Sequence, residues 1–276
     1  MNTTNNRVFS NNFNWTSHYN SLSMASIRSG LKDCVNPDTL RAYLAEFLST
    51  FFFVFAAAGS TMASRKMSPE AVADPASLVG TAVANAFALT VAVYISVGVS
   101  GGHVNPAVTM ARAVCGHVSI SVAIFYWTSQ LLGSVMACLV LKVTTVQQHV
   151  PLLEIPQEMT GFGASILEGV MTFALVYTVY AAGDARRGAI GSAGPLAIGL
   201  IAGANVLASG PFTGGAMNPA YAFGTGLVGG SFQNQAVYWI GPLVGGVVGG
   251  VMYDKVVFPV SESPDSMRGL TEVGGV

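Results

Sequence analysis

The sequence predicts an all-α membrane protein: six membrane-spanning helices and two re-entrant half-helices, built as two inverted three-helix repeats. Three observations predict it. The 276 residues are 51% hydrophobic and only 9% charged, whereas soluble domains carry roughly 25% charged residues. Six apolar runs are each of membrane-spanning length or near it. One box, Asn-Pro-Ala, occurs twice, at Asn105-Pro106-Ala107 and Asn218-Pro219-Ala220. The 32 glycines would weaken soluble helices, but in membrane helices small residues let backbones approach closely.

Residues 1–40 form a polar tail rich in Asn and Ser, with Arg7, Arg28 and Lys32 and no acid before Asp33. That composition suits a disordered cytosolic tail, and it is also that of an organelle transit peptide. Asn2-Thr3-Thr4 and Asn14-Trp15-Thr16 match the glycosylation sequon, which would require a lumenal tail. The transmembrane domain is expected over 41–258, with repeat one at about 41–142 and repeat two at about 162–257, followed by a short C-terminal tail, 259–276.

The first run, about Arg41–Ala63, is long enough for a membrane helix of roughly 20 residues. A second, about Leu78–Val99, leads into the first Asn-Pro-Ala and a short helix ending near Val114. A third covers about Ser119–Leu141. After a polar segment with His149, Glu154 and Glu158, a fourth spans about Phe162–Ala182. The fifth, about Ala193–Ala208, leads into the second box and a half-helix to about Val228. The sixth, about Ala236–Val256, carries Gly241, Gly245 and Gly249 at four-residue spacing, the small-residue face of a packed helix pair. Six spans put both termini on one side. Arg112, Arg186, Arg187 and the basic tail fall there against Arg65 and Lys66 opposite, which favours cytosolic termini.

Each box reads as a helix start. Asn suits the N-cap, and Pro fits the first turn, where its missing N–H would be unpaired anyway. The glycines before each box permit an irregular backbone whose carbonyls face a cavity. At membrane depth such backbone is tolerated only when buried in protein or lining a wet path. A lone box would read equally well as a loop turn; two in equivalent places point to a pore.

The halves align. Glu46-x-x-x-Thr50-Phe51 matches Glu168-x-x-x-Thr172-Phe173, and Tyr126-Trp127-x-x-Gln130-x-x-Gly133 matches Tyr238-Trp239-x-x-Pro242-x-x-Gly245. Three spans per repeat is odd, so the second copy enters from the opposite side, with the functional site at the midplane. Glu46 and Glu168 are the acids well inside the runs. An intramembrane carboxylate must face a partner or a wet cavity. Either they relay protons in a transporter, or they hold the loops through free backbone N–H groups; their symmetry favours the loop-supporting role.

At these residues the chain resembles the aquaporin, or major intrinsic protein, family, over about residues 41–258. The stretches Ser100-Gly101-Gly102-His103-Val104-Asn105-Pro106-Ala107-Val108-Thr109 and Gly203-Ala204-Asn205-Val206-Leu207-Ala208 are most similar to the fifth subgroup of plant tonoplast intrinsic proteins. The resemblance implies the aquaporin-like bundle, a homotetramer with a pore in each protomer, and a vacuolar membrane, with another organelle membrane as the alternative. It implies a passive channel for water and small neutral solutes, with Asn105 and Asn218 presenting amides where both half-helix N-termini converge. Carbonyls of Gly101, Gly102, His103, Gly214, Gly215 and Ala216 would form a ladder of acceptors. The family's outer constriction falls on Asn85, Val206, Gly215 and Tyr221. Here the chain departs from the pattern: the family usually has Arg after the second box, and Tyr221 offers neither charge nor guanidinium fork. With Tyr221 aside, the mouth suits urea, glycerol, ammonia or peroxide as well as water; with Tyr221 across it, the mouth is plugged.

Other classes find less support. A net charge of −1 gives no reason to expect nucleic acid. Cys34, Cys115 and Cys138 lack CxxC spacing and read as buried small hydrophobes rather than a metal or disulfide site. No nucleophile–base pair or phosphate cradle suggests an enzyme or a cofactor. The alternatives are a closed, structural membrane protein with its mouth blocked by Tyr221, and a coupled transporter. The partners expected are therefore membrane lipid, water and small neutral solutes. His103, beside the first box, reads as a loop-packing residue.

Overall fold

The computed structural model describes residues 34–67, 74–145, 148–186 and 193–259. Both sequons and most of each tail lie outside the described residues, as does Arg187. Among the described residues there are helices and no strands: α1 (Pro37–Met67), α2 (Pro75–Ser100), α3 (Pro106–Val114), α4 (Ile120–Thr144), α5 (Gly161–Ala182), α6 (Gly194–Thr213), α7 (Pro219–Gly229) and α8 (Gln235–Val251), whose end widens into a π-helical turn, Met252–Val257. Six of them, α1, α2, α4, α5, α6 and α8 with its last turn, are long and apolar enough to cross a membrane. The other two are the half-helices.

Helix ends follow local chemistry. α1 starts at Pro37, before the apolar run, because the Asn36 side chain accepts from the amides of Asp38 (3.0 Å) and Thr39 (2.9 Å). Such an N-cap needs no apolar residue and is invisible to hydropathy. α6 runs through Ser209-Gly210-Pro211 to Thr213, past the expected end at Ala208. Pro211 sits in its last turn, and Gly214 closes it in the left-handed conformation (φ 81°). Gly101 closes α2 in the same way (φ 87°).

Packing obeys an internal twofold. α1 packs on α2 and α4, as α5 packs on α6 and α8. α2 and α6 join the halves, and each half-helix lies chiefly against the third span of the other half, α3 on α8 and α7 on α4. The glycines set these approaches. A Cβ on Gly133 would strike the Phe47 carbonyl of α1, and one on Gly245 would strike the Gly169 carbonyl of α5. Gly241 and Gly249 also face α5, while Gly246 and Gly250 face Ala107 and Ala111 of α3. So α8 has two smooth faces, one for a span and one for a half-helix.

The outer surface is apolar. Phe87, Val91, Ile124, Phe162 and Val244 are each more than half exposed, a coat no water-soluble monomer carries over its whole girth. The polar side chains are inside: Glu46, Glu168, Gln130, Thr50 and Thr172 are fully buried.

Candidate pore and its two loops

α3 and α7 start at the two boxes. Asn105 caps α3, its Oδ1 accepting from the Ala107 amide at 2.8 Å. Asn218 caps α7, its Oδ1 accepting from the Ala220 amide at 2.9 Å and the Tyr221 amide at 3.4 Å. Each Asn also reaches across the twofold. Asn105 Nδ2 donates to the Met217 carbonyl (2.8 Å), and Asn218 Nδ2 donates to the Val104 carbonyl (3.0 Å). A side-chain amide has two hydrogens, so one on each Asn is left for the cavity between them.

The residue before each Asn is strained. Val104 and Met217 have φ of 59° and 51°, an uncommon conformation for any non-glycine and an outlier for a β-branched residue. Such geometry persists only when its surroundings over-determine it, and here they do. The carboxylate of Glu46 accepts from Ser100 Oγ (2.6 Å) and the His103 amide (2.9 Å) on one oxygen. On the other it accepts from the Val104 amide and Gln130 Nε2, both at 2.8 Å. Glu168 repeats the arrangement with Thr213 Oγ1 (2.6 Å), the Ala216 amide (3.1 Å) and the Met217 amide (2.7 Å). Tyr126 and Tyr238 complete it, their hydroxyls donating to the Ser100 and Thr213 carbonyls at 2.9 and 3.0 Å.

The halves differ in one respect. Gln130 has Pro242 as its counterpart, so only the first loop gains a fourth donor to its glutamate. Gln130 also donates to Thr109 Oγ1 (2.9 Å), which lies 3.0 Å from His103 Nδ1. His103 is thereby packed into the loop, its ring edge-on to Tyr126 at 5.1 Å.

Between the loops lies a narrow cavity of about 20 Å³, on the order of one water. Its lining is part polar, with Asn85, Gly102, His103, Asn105, Ala216 and Asn218, and part apolar, with Phe53, Leu89, Val93, Leu175, Val179 and Ile198. Asn85 donates Nδ2 to the Thr81 carbonyl of its own helix at 2.9 Å, which leaves its oxygen for the cavity. Other residues singled out in the sequence do not line it. Gly101 and Gly214 are the helix caps. Val206 and Gly215 are buried against each other, with a Cβ on Gly215 only 3.1 Å from Val206 Cα. Tyr221 is buried, its ring tilted against Phe53 of α1 (6.2 Å) and its hydroxyl beside Thr61.

Sequence reasoning did not name the individual apolar lining residues, which have no signature beyond hydrophobicity. It also missed Ser100 and Thr213, although both precede a Gly-Gly pair and the repeat would have revealed them.

Six apolar spans, two half-helices meeting end to end and a cavity of mixed polar and apolar lining between them define a membrane channel built on an internal twofold. The family model described as major intrinsic protein matches residues 33–253, and the chain belongs to that family of membrane channels for water and small solutes. It is therefore an integral membrane protein and not an enzyme. It is 58% identical over 244 residues to the probable aquaporin TIP5-1 of Arabidopsis thaliana, covering 88% of this chain and 95% of the relative. It is 52% identical to the probable aquaporin TIP5-1 of Oryza sativa subsp. japonica (87% and 93% covered) and 48% identical to aquaporin TIP2-1 of Arabidopsis thaliana (87% and 96%). The aquaglyceroporin from Plasmodium falciparum has the same fold, with a TM-score of 0.66 at 22% identity, covering 80% of this chain and 98% of that one.

Proposed function

We propose that the chain conducts water and small neutral solutes, urea foremost and also glycerol, ammonia and hydrogen peroxide, passively through each protomer of a homotetramer in the vacuolar membrane. The termini face the cytosol, and the channel unit is 41–258. The observation that carries this reading is the cavity wall: both Asn amides meet there, and no Asp, Glu, Lys or Arg lines it. A water between the boxes accepts from both amides and turns its own hydrogens outward, so it passes no proton along the file. The positive ends of α3 and α7 repel cations at the same point.

The constriction Asn85, Val206, Gly215 and Tyr221 lacks the fixed cation usual after the second box. Tyr221 leaning on Phe53 and Thr61 favours a mouth that is open to urea rather than plugged. A coupled transporter is disfavoured because Glu46 and Glu168 spend both oxygens on loop donors. The relatives named as tonoplast intrinsic-type aquaporins support the vacuolar location.

The test is stopped-flow light scattering on proteoliposomes, under an osmotic and then a urea gradient. Fast flux of both, with urea flux lowered selectively in Tyr221→Arg, is the expected result. Unchanged urea flux in that variant removes Tyr221 from the constriction. Flux at the empty-liposome rate for both solutes replaces this reading with a closed, structural protein.

A further inference from the structure

A second recess, about 380 Å³, opens where α3, α5 and α8 finish, and it shares no residue with the pore cavity. Its chemistry-bearing side chains are Arg112, His117, Tyr180, Asp184, Arg186 and Asp254. Both acids already have cations against them. Asp184 takes a forked pair of bonds from Arg186 (2.7–3.0 Å) and one from the Tyr253 hydroxyl (2.8 Å). Those bonds, the Arg186 ones first, hold its carboxyl well below the usual carboxylate range. Asp254 lies 3.2 Å from His117 Nε2 and 2.8 Å from Lys255 Nζ.

Arg112 is left over. Among the described residues no carboxylate pairs with it, and its buried Nε has no hydrogen-bond partner. Its guanidinium lies 4.5 Å over the Tyr180 ring and close to Gly183, where an added Cβ would come within 3.2 Å. Tyr180 is itself only 5% exposed. Its hydroxyl has no nitrogen or oxygen partner, only the Cys115 thiol beside it, a weak partner. A fixed cation and a buried hydroxyl, both unspent at one recess, call for an acceptor-rich anion. A guanidinium fork matches phosphate in plane and charge. Three phosphate oxygens can take Arg112 and Tyr180 together, and the recess has room for the group that bears them.

We propose that this recess binds a phosphate monoester through Arg112 and Tyr180, at a site separate from the pore. The same chemistry is offered by a free phosphorylated solute and by the headgroup of an anionic lipid. The test uses the full chain, following its thermal midpoint by tryptophan fluorescence. One arm titrates inorganic phosphate against chloride at equal ionic strength. The other compares nanodiscs of phosphatidylcholine with and without phosphatidic acid. Arg112→Leu should weaken the protective effect at least about tenfold, and Tyr180→Phe by about three- to tenfold, the range for losing a charge-assisted and a neutral hydrogen bond. Osmotic water permeability reports that each variant is folded, and Tyr180→Phe decides the matter if Arg112→Leu does not fold. Protection by inorganic phosphate supports a soluble ligand, and protection only in phosphatidic acid nanodiscs supports a lipid. No protection by either probe, or protection undiminished in the folded variants, overturns the proposal.

Discussion

Replacing Glu46 with glutamine tests how the first loop is held. The carboxylate takes four donors, two on each oxygen. Glutamine keeps one accepting oxygen and turns an NH2 group on the other pair. The less costly orientation aims that NH2 at Ser100 and His103, because the Ser100 hydroxyl has the Ser96 carbonyl 3.3 Å away as a second acceptor. The His103 amide has no such exit and is orphaned in a fully enclosed site. One orphaned buried donor costs about 1–3 kcal/mol, and turning the surviving charge-assisted bonds into neutral ones adds about 1–2 kcal/mol. The sum, about 2–5 kcal/mol, should lower the thermal midpoint by about 4–20 °C on the scaling of large domains. Glu168→Gln should cost a similar amount, since it too orphans one backbone amide, that of Met217. The assay is the thermal midpoint in detergent, followed by water permeability in proteoliposomes. A Glu46→Gln protein matching its parent in both would refute the idea that this carboxylate holds the loop.

Two further predictions rest on packing and strain. Gly245→Val drives a side chain into the Gly169 backbone. It should part α5 from α8 at a cost of about 3 kcal/mol or more, seen as loss of folded protein on size exclusion, whereas Gly80→Ala, in open space, should be tolerated. Val104→Gly relieves about 1–2 kcal/mol of left-handed strain but removes a fully buried side chain worth about 1.5–3 kcal/mol. A net loss of about 1 kcal/mol is expected, and a raised thermal midpoint would show that strain outweighs packing.

Much of the fold was legible because the membrane imposes length and polarity on every span. The six runs lie within a few residues of the helices, and the errors have local causes: the Asn36 cap at the start of α1, and the Ser209-Gly210-Pro211 stretch that reads as a break but closes α6. The boxes and the glutamates stand out through their repetition. What no pattern revealed is long-range and directional. That each Asn braces the opposite loop depends on two backbones meeting across 112 and 114 residues of chain. The positive φ of Val104 and Met217 falls on residues whose types argue against it. Where Tyr221 leans depends on Phe53 and Thr61, far away in sequence.

The exchange of amide bonds between the loops also bears on how the channel is made. When the first half has entered the membrane, the Val104 carbonyl still lacks the Asn218 amide and Asn105 Nδ2 still lacks the Met217 carbonyl. α3 has no α8 to lie on, and the bed that α4 offers to α7 is empty. The first loop can settle on Glu46, but its tip is finished only by residues synthesised more than a hundred positions later. The pore is thus completed only by the second half, and a chain stopped midway leaves Asn105 Nδ2 unanswered and the Val104 carbonyl with the Thr50 hydroxyl alone (3.4 Å) rather than a working hole.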